Sequence, residues 1–150
     1  MIIQHILTPG RTHSDVPGVS KKKTLESIAQ FLSNEVPAIN PAELFSALIT
    51  RERLGTTGLG QGVALPHCRF KHCPEPTGLF LRLEKPIDFD SVDRRPVDLV
   101  FALIVPDGDN EEHLQILRSL AEKFHSPSTL RQLRDAPDAE TLFEIITSEE

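Results

Sequence analysis

The sequence lacks the features of a membrane or secreted protein. None of its apolar runs approaches the roughly 20 residues that a membrane-spanning helix requires. Residues 1–5 have neither the basic start nor the apolar core of a secretory signal peptide. The chain has two cysteines, Cys68 and Cys73, and without an export signal we interpret them as reduced thiols. These absences predict a cytoplasmic protein that does not insert into a membrane.

The chain also lacks an excess of positive charge. It has 16 Lys and Arg residues against 22 Asp and Glu residues, which gives a formal net charge of −6. An acidic surface repels nucleic acid phosphates and anionic lipid headgroups, so neither is expected as a partner. The same charge would attract a basic protein partner during encounter.

No internal repeat and no long linker divides the 150 residues. A chain of this length can bury a hydrophobic core without disulfides or metal ions. We therefore predict one domain that spans residues 1–150.

Two amphipathic helices are predicted in the first third of the chain. The first spans about Lys21–Asn34, with Ser20 as its N-cap. The second spans about 41–53, because Asn40 is a capping residue and Pro41 suits the first helical position. The residues predicted to be buried on these helices are Leu25, Ile28, Ala29, Leu32, Leu44, Phe45, Leu48 and Ile49.

Two strands and three helices are predicted in the second half. The strands are Thr77–Glu84 and Val97–Val105, and the second is nearly continuously apolar, as is typical of a strand covered on both faces. The first helix is predicted at about 111–125, with Asp109 or Asn110 as its cap. The second starts at Ser126-Pro127 and ends at about Asp135. The third follows the capping residue Asp138, and its apolar residues are Leu142, Phe143, Ile145 and Ile146. Helices first, strands in the middle and helices last predict a single-domain α/β or α+β sandwich with a central mixed β-sheet flanked by helices.

Four closely spaced glycines precede a histidine in the segment G-T-T-G-L-G-Q-G-V-A-L-P-H, residues 55–67. They do not form a Walker phosphate loop, because no Lys-Ser/Thr pair follows. They do not match a dinucleotide fingerprint either, because they lead into an extended segment rather than a helix. Two interpretations remain open: a flexible turn with glycines at positive φ, or a backbone without Cβ atoms that another molecule approaches closely beside His67.

His67 follows Pro66, which fixes its own φ and biases Leu65 towards an extended conformation. A histidine on such a stiff segment could present one ring nitrogen outward. A nucleophilic histidine must be neutral, with its proton on the other nitrogen and an acceptor that holds this tautomer. A lone loop histidine is more often structural or solvated, so the residue type alone leaves the role of His67 open.

A second histidine could serve the same site. His113 is predicted in the first turn of the 111–125 helix, on the face that carries Leu117, Leu120 and Phe124. The helix N-terminus there disfavours the imidazolium and favours a nearby anion, so a neutral His113 could donate a hydrogen bond to a phosphoryl oxygen. The alternative is a capping or core-edge histidine.

Arginines are the remaining candidates around His67. Arg51 ends a predicted helix four residues before Gly55, where its guanidinium could hold a phosphoryl group or simply be solvated. Arg69 could add positive charge from the other side. The other histidines, His5, His13 and His125, are predicted to be surface residues.

His67, Cys68, His72 and Cys73 raise the possibility of a metal site. Tetrahedral zinc sites usually take their ligands from two separated pairs, whereas adjacent His-Cys residues point away from each other. No metal is therefore predicted, and a non-enzymatic metal-binding interaction module is kept as an alternative. Cys68 has no evident surroundings that would depress its pKa, so it is not predicted to be a catalytic thiol.

The segment R-E-R-L-G-T-T-G-L-G-Q-G-V-A-L-P-H, residues 51–67, closely resembles the active-site segment of the mannitol/fructose-type enzyme IIA domains. These domains belong to the bacterial phosphoenolpyruvate-dependent phosphotransferase system. The segment F-D-S-V-D-R-R-P-V-D-L-V-F-A-L-I-V-P, residues 89–106, resembles the family's central strand, and a second histidine follows at His113. The resemblance covers about residues 5–147, and within the family it is greatest to the free-standing, nitrogen-regulatory branch.

The resemblance implies a phosphocarrier. An HPr-like protein would pass its phosphoryl group to the outward ring nitrogen of His67, with His113 as the second active-site histidine and Arg51 as the phosphate-stabilising arginine. The residues predicted to support the phosphoryl group are Gly58, Gly60, Gly62 and Arg69. No cofactor is expected beyond the covalent phosphohistidine, and regulatory target proteins are expected as partners. The first alternative is a sugar-specific enzyme IIA that passes the phosphoryl group to a IIB domain. One departure from the family pattern is Cys68, which stands where relatives commonly have glycine.

Overall fold

The computed structural model describes residues 2–108 and 111–149. Its helices are α1 (Ile2–Ile6), α2 (Lys21–Glu35), α3 (Pro41–Leu54), α4 (Glu111–His125), α5 (Pro127–Asp135) and α6 (Ala139–Thr147), with a short 3-10 turn at Pro9–Arg11. Its strands are β1 (Thr12–Val16), β2 (Gly58–Gly60), β3 (Val63–Ala64), β4 (His67–Arg69), β5 (Thr77–Ile87) and β6 (Val97–Val105).

The six strands form one mixed sheet, with five of them in the order β1-β5-β6-β3-β2 and the sixth, β4, paired with β6. β1 runs parallel to β5, β5 runs antiparallel to β6, and β2 runs antiparallel to β3. β3 and β4 both run parallel to β6 on the same side of it, pairing Val63 with Leu99 and His67 with Leu103. They therefore behave as one strand that is interrupted between Ala64 and His67.

Two apolar layers cover the two faces of the sheet. One layer packs α2 and α3 against residues such as Leu81 and Val100. The other packs α1, α4, α5 and α6 against residues such as Phe80 and Phe101. β6 lies between both layers, which explains why its sequence is apolar almost throughout. The predicted fold class, a central mixed sheet flanked by helices, is confirmed.

Most of the predicted helix starts are confirmed by side-chain caps. Ser20 accepts a hydrogen bond from the backbone N–H of Lys23, and Asn40 accepts one from Glu43. Ser126 and Asp138 cap α5 and α6 in the same way. The predicted caps of α4, Asp109 and Asn110, lie outside the described residues. No helix among the described residues is long and apolar enough to cross a bilayer.

The prediction that the chain starts with helices and keeps its strands in the middle is wrong in one respect. β1 precedes α2, and α1 precedes both. In β1 only Thr12 and Val16 are buried, so no clear alternation is present, and the strand depends on pairing with β5. α1 is only five residues long and is held by the burial of Ile3 and Ile6.

Two predicted burial assignments are corrected. Phe45 and Ile49 are only partly buried, because they lie at the edge of the apolar stripe of α3. On α6, Phe143 and Ile145 are partly buried while Leu142 and Ile146 are buried. His13 is half-buried, and its ring stacks on Phe31 at a centroid distance of 4.3 Å. Burial lowers the pKa of His13. The surface assignment is confirmed for His5 and His125, which are exposed.

Packing between β5 and β6 predicts a difference between two glycine substitutions. A Cβ atom at Gly78 would lie 2.8 Å from the ring of Phe101, whereas one at Gly55 would meet nothing within 4 Å. Gly78→Ala should therefore lower the free energy of unfolding by about 1–3 kcal/mol through overpacking. Gly55→Ala should change it by less than about 0.5 kcal/mol. Urea denaturation of both variants measures the difference, and equal stability of the two would contradict the described packing.

Candidate active site

His67 begins β4, directly after the interruption between β3 and β4. The backbone N–H of Leu65 donates to the carbonyl oxygen of Thr57 at 2.9 Å, and the carbonyl oxygen of Pro66 accepts from Leu103 at 2.9 Å. Pro66 has no N–H group of its own. The segment thus stays attached to β6 through Pro66 while Leu65 faces the glycine turn.

The hydrogen bonding of the His67 ring determines its tautomer. Nδ1 lies 2.8 Å from the carbonyl oxygen of Leu65. A carbonyl oxygen can only accept, so Nδ1 carries the proton and donates it. The neutral ring then keeps its lone pair on Nε2. This is the arrangement that a nucleophilic histidine requires, with the proton on the nitrogen that does not react.

Alternation along the strand directs His67 towards α4. Val63 and Leu65 pack in the layer that contains α4, whereas Ala64 and Cys68 pack in the layer that contains α2 and α3. His67 follows the pattern of Val63 and Leu65, because successive side chains of a strand point to opposite faces. The structure accordingly brings His67 to the first turn of α4.

His113 lies in that first turn, as predicted. The ring centroids of His67 and His113 are 5.8 Å apart, with the ring planes inclined at 72°. Nε2 of His113 is buried and has no hydrogen-bond partner among residues 2–108 and 111–149. A buried ring nitrogen without a partner is costly, and an anion bound between the two rings would supply one. The predicted face of the helix is also correct, since Leu120 and Phe124 are buried.

Burial favours the neutral form of both imidazoles. It is the largest cause that lowers the pKa of His67 and of His113 below the ordinary value of about 6.5. For His67, the hydrogen bond with Leu65 and the charge of Glu52 act in the opposite direction, while the charge of Arg51 lowers the pKa further. After burial, the charge that His67 carries when it is protonated and the charge of Arg69 lower the pKa of His113.

The predicted arginines approach the pair of rings from different elements. Arg51 lies in the last turn of α3, is half-buried, and donates through Nη1 to the carbonyl oxygen of Gly55 at 3.0 Å. Arg69 ends β4 and is exposed. Because one acts on the pKa of His67 and the other on that of His113, the region around the rings is electropositive and suits an anion.

The predicted glycines pack against neighbouring side chains. A Cβ atom at Gly58 would clash with Ser91, one at Gly62 would clash with Arg134, and one at Gly60 would lie 3.1 Å from Asp93. Gly60 and Gly62 also have positive φ values of 100° and 81°, which glycine adopts without strain. The absence of Cβ atoms therefore allows a tight turn against protein atoms. Direct contact of these glycines with a phosphoryl group stays a prediction.

Gln61, at the apex of this turn, is held by hydrogen bonds from two sides. The backbone N–H of Gln61 donates to Asp93 at 2.8 Å, and its carbonyl oxygen accepts from Arg134 at 2.6 Å. Arg134 also forms an ion pair with Asp98 at 3.0 Å. These contacts hold the turn between α5 and the loop that precedes β6.

One residue at the site was not singled out from the sequence. Glu52 is 7% exposed and lies next to Arg51 in α3. Its carboxylate accepts two hydrogen bonds from Thr57 and forms an ion pair with Lys21. A signal was present, because Leu44, Leu48 and Glu52 are spaced by four residues and form one buried stripe of α3. A glutamate that continues such a stripe must have buried partners.

The alternative metal ligands do not converge. Cys68 is buried in the layer of α2 and α3, on the face opposite to His67, while His72 is exposed against the ring of Phe70. Cys73 donates through Sγ to the carbonyl oxygen of Glu75 at 2.9 Å. Within the described part of the chain no three His, Cys, Asp or Glu residues are grouped to hold a metal ion. The structure therefore does not support the metal-binding interpretation.

Cys68 does not obstruct His67. Its side chain is 7% exposed and points into the core. Burial raises the pKa of its thiol to about 12, so it stays protonated and unreactive at neutral pH. The expectation that Cys68 is not a catalytic thiol agrees with these surroundings.

Comparison with known proteins agrees with this geometry. The family model for "Phosphoenolpyruvate-dependent sugar phosphotransferase system, EIIA 2" matches residues 5–149. The chain belongs to this family. It is 45% identical over 144 residues to a nitrogen regulatory protein of Pseudomonas aeruginosa, covering 96% of this chain and 94% of that protein. Phosphotransferase system component is therefore the general class of this protein.

Solved structures give the same family and fold. The crystal structure of the nitrogen regulatory protein IIA-Ntr from Neisseria meningitidis superimposes with a TM-score of 0.92 at 39% identity, covering 98% of this chain and 100% of that one. The crystal structure of the mannitol IIA from Escherichia coli has a TM-score of 0.78 at 20% identity, covering 93% and 98%. At this identity the second likeness is one of fold alone.

The lowered pKa values predict how the two site histidines titrate. We expect the midpoints of His67 and His113 to lie below the value of about 6.5 expected in the urea-unfolded chain. Nitrogen NMR of labelled histidine should also show the proton of His67 on Nδ1 at neutral pH. A midpoint of His67 above that of the unfolded chain, or a proton on Nε2, would contradict the described site.

The same shifts predict how stability depends on pH. Because the folded-state pKa values lie below those of the unfolded chain, protonation favours the unfolded state, and the free energy of unfolding should fall as the pH drops below about 6.5. Urea denaturation between about pH 7 and pH 5 measures the slope. The slope should be smaller in the double variant His67→Asn, His113→Asn.

Proposed function

We propose that this protein is a phosphocarrier whose His67 accepts a phosphoryl group and whose phosphorylation state regulates other proteins. The observation that carries the proposal is the hydrogen bond from Nδ1 of His67 to Leu65, which leaves the lone pair on Nε2. The neighbouring ring of His113, whose buried Nε2 has no hydrogen-bond partner in the described part of the chain, supports the same assignment. Membership of the enzyme IIA family supports it independently.

The proposed step exchanges one phosphorus–nitrogen bond for another. The Nε2 lone pair of His67 forms a bond to phosphorus, the bond between phosphorus and the donor's histidine breaks, and its electron pair stays on the donor ring. The Nδ1 proton remains hydrogen-bonded to Leu65, so the positive charge that the acceptor ring gains is the one that the donor ring loses. Positioning and charge stabilisation provide most of the catalysis in such a transfer.

The neighbours of His67 would stabilise the transferred group. Arg51 can offer a planar fork of N–H groups to the phosphoryl oxygens. His113 can donate a hydrogen bond once its ring is in the Nε2–H tautomer, and Arg69 adds positive charge. No bound metal ion or nucleotide takes part in the proposed step, and the covalent phosphohistidine is the only intermediate.

The surroundings of the site suit docking of a protein. Four large apolar side chains are exposed near the site: Leu54, Leu59, Val92 and Leu114. Leu54 and Leu59 adjoin glycines of the turn in the chain, Leu114 follows His113, and Val92 lies between Ser91 and Asp93, which contact the turn. Apolar groups around a polar site are characteristic of protein interfaces. We propose an HPr-like phosphocarrier as the donor, with both proteins in the cytoplasm.

The phosphoryl group would act as the regulatory signal. It adds a charge of about −1.5 to −2 at neutral pH to a surface with exposed apolar residues. Such a charge repels some partners and recruits others. Likeness to nitrogen regulatory proteins supports regulatory targets over sugar uptake as the destination of the signal.

Phosphorylation of matched histidine variants tests the proposal. On incubation with phosphoenolpyruvate, enzyme I and an HPr-type protein, the intact mass should rise by one phosphoryl group that is labile in acid and stable in alkali. His67→Ala should abolish the increase, and His113→Ala should slow it by about 10²-fold. His125→Ala removes an exposed histidine at the far end of α4 and serves as the control, which should react normally. An unchanged label in His67→Ala rejects the assignment.

A second experiment separates regulation from sugar transport. The phosphorylated protein is mixed with purified sugar-specific IIB domains, and the mass of each IIB domain is followed. We expect no transfer within the time in which the HPr-type donor loads His67. Rapid loading of a fructose- or mannitol-specific IIB would instead identify the protein as a sugar-specific enzyme IIA.

A further inference from the structure

The buried carboxylate of Glu52 has more partners than packing requires. Oε2 accepts from the backbone N–H of Thr57 at 2.7 Å, and Oε1 accepts from the Thr57 hydroxyl at 2.6 Å. The ammonium group of Lys21 lies 2.9 Å from Oε2. The side chain of Glu52 is only 5% exposed, while that of Lys21 is 20% exposed. Both oxygen atoms of the carboxylate thus accept hydrogen bonds at the start of the glycine turn.

The contacts continue from Thr57 to the phosphoacceptor. The carbonyl oxygen of Thr57 accepts from the backbone N–H of Leu65 at 2.9 Å. The carbonyl oxygen of Leu65 accepts from Nδ1 of His67 at 2.8 Å. An unbroken series of hydrogen bonds therefore links Glu52 through Thr57 and Leu65 to the ring of His67.

Stability alone does not explain a glutamate at this position. Leu44 and Leu48 precede it on the buried stripe of α3, so a leucine would continue the stripe at residue 52. Replacing both members of a buried ion pair by apolar residues of similar volume is often neutral or stabilising, so packing alone does not require the pair of Glu52 and Lys21. The carboxylate of Glu52 instead restricts the backbone of Thr57, because it accepts hydrogen bonds from both the N–H and the hydroxyl of that residue.

We infer that Glu52 is a positioning residue for phosphoryl transfer, which acts by holding Thr57 so that the Leu65 carbonyl keeps His67 in its Nδ1–H tautomer. This inference rests on the proposed role of His67 as the phosphoacceptor. Glu52 does not contact the transferred group in this assignment. Its charge also raises the pKa of His67, against the effects of burial and Arg51, which is consistent with its closeness to the ring.

Asp90 provides a matched control for the charge of Glu52. Like Glu52, it forms an ion pair with Lys21, at 3.4 Å. Unlike Glu52, its side chain is 73% exposed and does not bind Thr57. Asp90 has a φ of 56°, which asparagine tolerates. Glu52→Gln and Asp90→Asn therefore remove the same charge from the same lysine, and only the first alters the contact with Thr57.

The first test compares these two variants. Glu52→Gln should slow loading of His67 by the phosphorylated HPr-type donor by about 10-fold or more, because small misplacements of a reacting group are costly. It should also lower the titration midpoint of His67 and reduce the fraction of the Nδ1–H tautomer in nitrogen NMR. Asp90→Asn should behave like the wild type. A normal rate and tautomer in Glu52→Gln, or an equal loss in both variants, overturns the inference.

The second test uses the other end of the contact, in case Glu52→Gln does not fold. Thr57→Val removes the hydroxyl and should slow loading, whereas Thr57→Ser keeps it and should restore most of the rate. In the variant with both Glu52→Gln and Thr57→Val, the loss should be smaller than the product of the two single losses, as for residues that act through one contact. Independent effects, or a normal tautomer in Thr57→Val, contradict the inference.

The tautomer measurement keeps this inference separate from the proposed function. If the wild-type protein accepts no phosphoryl group, the phosphocarrier proposal fails. The NMR comparison of Glu52→Gln, Thr57→Val and the wild type still decides whether Glu52 orients the ring of His67.

Discussion

The hydrogen bond between Nδ1 of His67 and the carbonyl oxygen of Leu65 is the interaction on which the site depends. It places the ring proton on one nitrogen and leaves the other nitrogen basic. The carbonyl of Pro66 is the one that pairs with β6, through Leu103, while the carbonyl of the preceding Leu65 is taken by the His67 ring. In an uninterrupted sheet, a further strand would use that carbonyl. Because the His67 ring takes the place of such a strand, the same carbonyl fixes the proton on Nδ1.

Three elements contribute to the site: one strand of the sheet and one helix from each of its two faces. The strand supplies His67, the C-terminal turn of α3 supplies Arg51 and Glu52, and the first turn of α4 supplies His113. The two helices lie on opposite faces of the sheet. Because the site is at the edge formed by the glycine turn, groups from both faces act on the same ring. A sandwich with helices on both sides is thus a requirement of the site and not only its support.

Local patterns were sufficient to predict much of this structure. The helix caps at Ser20 and Asn40, the buried β6 and the face of α4 follow from signals within a few residues. The resemblance of residues 51–67 to a known active-site segment located His67, and the structure brings His113 to it. What could not be predicted depends on pairing between distant segments. β1 exists through its contact with β5, and the partners of the glycines, such as Ser91 and Arg134, lie more than 30 residues away.

The attachment of His67 to the central strand has a further consequence for how a signal would leave the site. The pairing of β4 with β6, from His67–Leu103 to Arg69–Val105, ties the backbone of His67 to the central strand, and we expect it to move with the sheet and not as a separate hinge. A partner that docks at His67 would then meet a backbone whose position the sheet fixes. Under the proposed function, we expect the phosphorylated and unphosphorylated proteins to differ mainly in the electrostatic field around His67 and little in backbone shape.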